Sequence, residues 1–314
     1  MGELRLGILL WSQGTDWKRF AAAAQRCEQL GYSHLWTWDH LYAIFGDPHQ
    51  AIFEGYTALA GLAGVTESVR LGLLVGANTF RNPGLVAKSI TTIDHISGGR
   101  AVCGLGGAWM ELEHAAHGID FGTGFGQRLD WLDESVAVIR DLLDGREVTY
   151  ASDRYRFTEL SEHPLPLQEH LPIMIGGSGE KKTLRTVAKY ADMWNTMGEV
   201  EVVARKVAVL EEHCVAIGRD IGRIEKTISC KVTIRDTEHD ARRVLDDLMA
   251  ANRTPRARYD NPTFWVGSPE QIAEKMVALR ALGFDTFISE MPAPYDVETL
   301  ERWIGEVKPM VERG

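Results

Sequence analysis

The dipeptide Asp39-His40 sets a carboxylate beside an imidazole, at the end of the run Ser33-His-Leu-Trp-Thr-Trp-Asp-His40. An imidazole changes charge near neutral pH, so it can give or take a proton. A neighbouring acid can orient it or bond a ligand's edge. A second stretch, Gly176-Gly177-Ser178-Gly179, lacks bulk. Glycines let backbone N–H groups approach an anion, and a helix start favours negative charge, although the same residues also make a tight turn. A third stretch, Gly104-Leu-Gly106-Gly107-Ala108-Trp109, offers a strand end that can lie flat against a ligand. It is not a dinucleotide fingerprint, because Trp109 takes the last glycine position, and Gly176–Thr183 is not a Walker-type loop, because no glycine precedes Lys182-Thr183. Arg81 either meets a ligand anion or pairs with an acid. Ser178 has no base partner in sequence. His114 and His117, with Glu111 and Glu113, lack the third ligand and frame that zinc wants, so they read as polar loop residues and no metal is expected.

Such groups need rigid ends to stand on. Leu4–Leu10 is a short apolar run, and Asp16 precedes apolar residues at helical spacing (Trp17, Phe20, Ala24, Cys27, Leu30) that end at Gly31. His34–Trp38 is the next strand. Further strands are expected at Val69–Val75, Ala101–Leu105, Pro172–Ile175, Ala191–Trp194, Lys226–Ile234 and Thr286–Glu290. Helical patterns lie between them, at Phe53–Val65, Leu85–Ile96, Arg128–Leu143, Glu180–Tyr190, Val200–Ile217, Glu238–Ala251 and Pro269–Leu282, with a last one at Val297–Val311. Gly106–Gln127 reads as a long loop, and residues 145–172 as a polar excursion with a hairpin around Val148–Phe157. Eight alternating units without a linker predict an α/β (β/α)8 TIM barrel, one domain over residues 1–314, with insertions after strand 4 and before strand 5. Ligands meet such a barrel at the strand C-termini, which places Asp39-His40 and the glycine stretches on one face.

Composition narrows the partners. The chain has 314 residues and a net charge of −10. An acidic surface disfavours nucleic acid and anionic membranes. Cys27, Cys103, Cys214 and Cys230 form no CxxC pair and have apolar neighbours, the pattern of buried reduced thiols in a cytoplasmic protein. No apolar run is long enough for a membrane span, and the N-terminal run reads as a strand rather than a signal peptide.

Together these stretches resemble the luciferase-like monooxygenase superfamily, in its branch that uses the deazaflavin coenzyme F420. The resemblance rests on Thr37-Trp-Asp-His40, Gly72-Leu-Leu-Val-Gly-Ala-Asn-Thr-Phe-Arg-Asn-Pro83, Asp94-His-Ile-Ser-Gly-Gly-Arg100 and Gly104–Trp109 with Glu113-His114. Ile175-Gly-Gly-Ser-Gly-Glu180, Tyr190-Ala-Asp-Met-Trp-Asn195 and Val266-Gly-Ser-Pro-Glu-Gln271 complete it. It implies a ring lying across the strand ends beside Asp39 and His40, and a cis peptide at Leu74–Val75 backing that ring. It also implies a cofactor tail and phosphate held by Gly106, Gly107, Ala108, Gly176, Gly177, Ser178 and Gly179. Trp109 stands where some relatives carry a glutamate acid, so the sugar-phosphate dehydrogenase activity known in the family is not transferred.

The expected activity is hydride transfer between coenzyme F420 and a small organic substrate, with His40 and Asp39 as catalytic residues. Trp11, Trp38, Trp109 and Trp194 are expected on the substrate side. Two alternatives stand beside it: an FMN-dependent monooxygenase using oxygen, and a flavin-binding protein without turnover. The family suggests a homodimer, and a reductase is a possible supplier of reduced cofactor.

Overall fold

The computed structural model describes residues 2–313. Strand β1 (Arg5–Leu10) pairs in parallel with β2 (His34–Thr37), and β2 with β3 (Arg70–Leu73). β3 and its short continuation β4 (Gly76–Ala77) both pair with β5 (Ala101–Gly106). An antiparallel hairpin, β6 (Val148–Ala151) and β7 (Arg156–Leu160), occupies the polar excursion. The barrel resumes with β8 (Ile173–Gly176), β9 (Met193–Thr196) and β10 (Glu225–Ile234). After β11 (Phe264–Gly267), β12 (Phe284–Met291) lies between β10 and β1 and closes the ring, from Arg5↔Thr286 to Leu10↔Met291. The result is a closed eight-stranded parallel barrel with helices outside, the (β/α)8 architecture.

The helices begin where the side chains dictate. In α1 (Trp17–Leu30) the Asp16 carboxylate accepts from the Arg19 N–H at 2.9 Å, and Gly31 ends the helix at φ 90°. α2 (Gly55–Val65) is capped by Glu54, and α3 (Pro83–Ser97) opens on a proline under an Asn82 cap. The expected loop after β5 contains a helix, α4 (Glu111–His117), and α5 (Phe125–Leu143) starts three residues early. Their sequence conceals this, because Met110 and Gly124 cap the two helices without side-chain bonds. α6 (Thr183–Tyr190) starts later than expected: residues 180–182 form a turn, so the glycine stretch does not itself open the helix. α7 (Val200–Ala216) and α8 (Glu238–Ala251) follow the apolar spacing. Ser268 and Gln271 form a reciprocal capping box at the start of α9 (Pro269–Arg280). The last helical pattern is α10 (Val297–Arg302), a wider π-helical turn at Trp303–Val307, and α11 (Lys308–Arg313).

β11 is absent from the sequence expectation. Its four residues abut a helix cap, and they pair only with the overhanging end of β10, from Lys231↔Phe264 to Ile234↔Gly267. The third strand is also shorter than expected, because it breaks after Leu73 and resumes at Gly76.

Large side chains fill the barrel. Leu9, Trp36, Val102, Met174, Met193 and Ile288 are buried together inside it, while Ile8, Leu35, Cys103, Ile175 and Phe287 belong to the outer layer against the helices. Trp36 takes its space from two glycines. A Cβ on Gly72 would lie 2.4 Å from the indole, and one on Gly7 3.3 Å from its Nε1. All four cysteines are buried and free, and burial pushes the Cys103 thiol up to about 12. No helix among the described residues is long and apolar enough to cross a membrane.

His34 lies at the closed end of the barrel, its Nδ1 2.9 Å from Ser33 Oγ. Burial, with Arg70 and Arg5 nearby, holds its pKa at about 3, below the ordinary 6.5. The unfolded chain therefore binds this proton first, so stability is full above pH ~6.5 and falls as pH drops towards 3. His34→Asn should remove up to ~4 kcal/mol of that acid-side loss. Urea titrations of both proteins between pH 7 and 4 check it; parallel acid limbs would rule it out.

Candidate active site

A cavity of about 410 Å³ opens at the C-terminal ends of the barrel strands. Its back wall carries little side-chain bulk: Gly106, Gly107 and Ala108 after β5, and Gly176 and Gly177 at the end of β8. Leu74 and Val75 form the bulge between β3 and β4, and the peptide joining them is cis, as the resemblance implied. The bulge and the glycines fit one another closely. A Cβ on Gly106 or Gly176 would lie 2.5 or 2.8 Å from the Val75 methyls, and one on Gly104 only 1.8 Å from the Leu73 carbonyl oxygen. The bulge and the glycines thus form one continuous wall of low side-chain bulk, a surface against which a planar ring can lie. Ser178 and Gly179 lie beyond the lining residues, with Gly179 O accepting from the Leu184 N–H at 3.0 Å.

Asp39 and His40 leave β2 side by side but turn to different partners, because successive side chains of an extended segment point to opposite sides. The Asp39 side chain is fully buried. It accepts from the Ala77 N–H at 2.8 Å and from both terminal nitrogens of Arg81, at 2.7 and 2.9 Å. Arg81 also pairs with Glu54 and lies 4.6 Å from the Tyr56 ring centroid. Arg81 is therefore a partner of acids, which hold its guanidinium strongly in the charged form despite burial. Asp39 does not orient His40, the first of the two roles expected of it; it ties the end of β2 to the segment after the bulge.

Glu113 orients the imidazole instead. His40 Nδ1 lies 3.0 and 3.2 Å from the two carboxylate oxygens of Glu113, and the Leu41 N–H donates to the same carboxylate at 2.8 Å. The Glu113 side chain is 1% exposed, that of His40 13%. His40 Nε2 makes no hydrogen bond among the described residues, and the ring lines the cavity with Trp109 edge-on at 5.4 Å. His114, the residue after Glu113, is occupied structurally. Its Nε2 lies 2.6 Å from Thr79 Oγ1 and its Nδ1 2.8 Å from the Met110 carbonyl, and burial lowers its pKa.

The four tryptophans divide. Trp38 and Trp109 line the cavity. Trp11 and Trp194 do not, which corrects their expected place on the substrate side. Trp11 is fully buried beneath the cavity, stacked on Phe45 at 4.2 Å and 4.8 Å from Trp38. Trp194 points outward into the helix layer, and its Nε1 donates to the Gly177 carbonyl at 2.8 Å. It therefore braces the glycine wall from behind.

Asn195 and Glu290 line the cavity from the expected strand ends, whereas Lys231 and Ser229 escaped the sequence reading. Lys231 and Glu290 form an ion pair of 2.9 Å with side chains 10% and 9% exposed. Ser229 donates to Asn195 Oδ1 at 3.1 Å, and Asn195 Nδ2 donates to Thr227 at 2.9 Å. Lys231 alternates with apolar residues in the second half of β10, but Lys226, Thr227, Ser229 and Thr233 share that strand, so the lysine does not stand out by its surroundings. Phe45 and Met197 come from loops, and Phe125 from the first turn of α5, whose positions only the fold reveals.

Arg81→Gln should leave Asp39 buried with one backbone donor. The expected cost is about 3 kcal/mol, read as a lowered urea midpoint at unchanged slope. An unchanged midpoint would show that the clamp does not hold the bulge.

Comparison with known proteins agrees with this fold. The chain is similar to an F420-dependent hydroxymycolic acid dehydrogenase of Mycobacterium tuberculosis, 26% identical over 76% of this chain and 65% of that protein. It is also similar to an FMNH2-dependent dimethylsulfone monooxygenase of Pseudomonas putida, 24% identical over 85% of this chain and 80% of that protein. A solved F420-dependent secondary alcohol dehydrogenase, in complex with an F420–acetone adduct, superposes with a TM-score of 0.85 over 99% of both chains, at 17% identity, a likeness of fold. The sequence profile of the luciferase-like monooxygenase family matches residues 5–286, and the chain belongs to that family.

Proposed function

We propose that the protein is an oxidoreductase that transfers a hydride between the deazaflavin coenzyme F420 and a small organic substrate, with His40 moving the accompanying proton. The observation that carries this reading is the His40–Glu113 pair at the cavity wall. The Glu113 carboxylate accepts from Nδ1, so the neutral imidazole carries its proton on that nitrogen. Nε2 then faces the cavity as the base that takes a proton from a substrate hydroxyl, or as the acid that returns one to a carbonyl. Bound in the cavity against the bulge and the glycine wall, the coenzyme would supply hydride chemistry with little reactivity towards oxygen. Leu74 and Val75 back the ring. Gly106, Gly107, Ala108, Gly176 and Gly177 would give it a surface of little side-chain bulk, and Ser178 and Gly179 would extend that surface towards a tail and phosphate. Asp39 acts as a positioning residue by holding the bulge, and Trp38 and Trp109 exclude water.

The relatives' names divide between F420 and FMNH2, so FMN with oxygen is the competing reading. Titration of the purified protein with both cofactors, followed by fluorescence or calorimetry, separates the two. Tight binding of the deazaflavin is expected. FMN binding alone, with oxygen consumption in the presence of a flavin reductase, overturns the proposal. His40→Ala should lower turnover by ~10²-fold or more, and Glu113→Gln by about tenfold, both with cofactor affinity kept. Full turnover by His40→Ala would remove the proton-transfer role.

A further inference from the structure

The cavity holds its charges in closed pairs. Its lining includes three carboxylates, Asp39, Glu113 and Glu290, against one lysine, Lys231. Arg81 neutralises Asp39 from behind, His40 faces Glu113, and Lys231 faces Glu290. No cation among these lining residues is left over for an anionic ligand. An incoming carboxylate or phosphate would lose its hydration and meet carboxylates already in place.

The Lys231–Glu290 pair is not explained by stability. Taking two charges out of water costs several kcal/mol each, and an apolar pair of similar volume commonly serves a fold as well or better. The pair stands on two adjacent barrel strands, one register step beyond Cys230↔Ser289. Ser229 shares the inward face of β10 with Lys231, since the two are separated by two positions. The ammonium has three donors; its Nζ lies 2.9 Å from Glu290 Oε1 and 5.2 Å from the Phe264 ring centroid. Both groups border the cavity, so together they present a donor and an acceptor at neighbouring points. The facing surfaces, Trp38, Phe45, Leu74 and Trp109, are apolar.

We propose that Lys231 and Glu290 form the head-group site for substrate, and that the substrate class is an uncharged, largely apolar molecule bearing a hydroxyl, carbonyl or amide. A hydroxyl accepts from the ammonium and donates to the carboxylate; an amide does the same through its C=O and N–H. This assignment rests on the oxidoreductase reading for what happens to the molecule, and on the pair alone for what binds.

The test is a calorimetric titration with four probes of similar size: benzamide, benzyl alcohol, benzoate and benzylammonium. It is run on the cofactor-loaded protein. It is repeated on the cofactor-free protein by tryptophan fluorescence, so a wrong cofactor assignment does not disturb it. Benzamide and benzyl alcohol should bind at least tenfold tighter than either ion. Glu290→Gln frees the lysine and should raise benzoate affinity tenfold or more; Lys231→Gln should do the same for benzylammonium. Melting curves establish that each variant is folded. If one is not, the other carries the test, and the ranking on the unaltered protein needs neither. Benzoate or benzylammonium binding as tightly as benzamide, folded variants that leave both ions unmoved, or no binding of any probe overturns the proposal.

Discussion

One buried carboxylate fixes the geometry on which the cavity depends. Asp39 receives three donors, two from Arg81 and one from the Ala77 N–H. The last of these is a backbone group just past the cis bulge. The carboxylate thus joins the end of β2 to the restart of the third strand, and adds to the bond the bulge itself makes to β2, from the Leu74 N–H to the Thr37 carbonyl at 3.0 Å. Glu54, at the cap of α2, pins Arg81 from a third element. Charge-assisted bonds in a water-poor site are strong and directional, so the bulge is held to one position. The glycine wall can then approach it to van der Waals distance. A larger residue at 104, 106 or 176 would displace the bulge.

The same logic runs through the rest of the cavity. Each ionisable group there has a partner from a different element: β2 with the segment after β4, the loop after β2 with α4, β10 with β12. Contacts between elements convert strand ends into a rigid frame, which holds Nε2 of His40 at one place and orientation. Small errors in placing such a group are costly to proton transfer, so rigidity serves chemistry as much as stability.

Most of the architecture was legible because parallel strands buried on both faces read as short apolar runs, and because helix starts carry local chemistry. Asp16, Asn82-Pro83 and Ser268-Pro269 mark their helices within a few residues. What escaped has a common character. α4 starts without a side-chain cap, and β11 owes its existence to the overhang of β10, a tertiary fact. In the site, His40 and the glycine stretches stand out by residue type. Glu113 could not be assigned, since it lies 73 residues from its partner and beside two histidines that suggested a different role. Trp194 and Trp11 could not be told from cavity tryptophans, because strand alternation shifts by one residue with each uncertain boundary.

The fit of Trp36 into the space left by Gly72 bears on how the family can vary. The indole occupies the volume that a Cβ at position 72 would need, and Gly7 yields further room on the adjoining strand. None of the three positions is free to change alone. A homologue with alanine or serine at the equivalent of Gly72 must carry a smaller residue at the equivalent of Trp36. The two positions should therefore covary across strands β2 and β3, whatever substrate each relative has come to use.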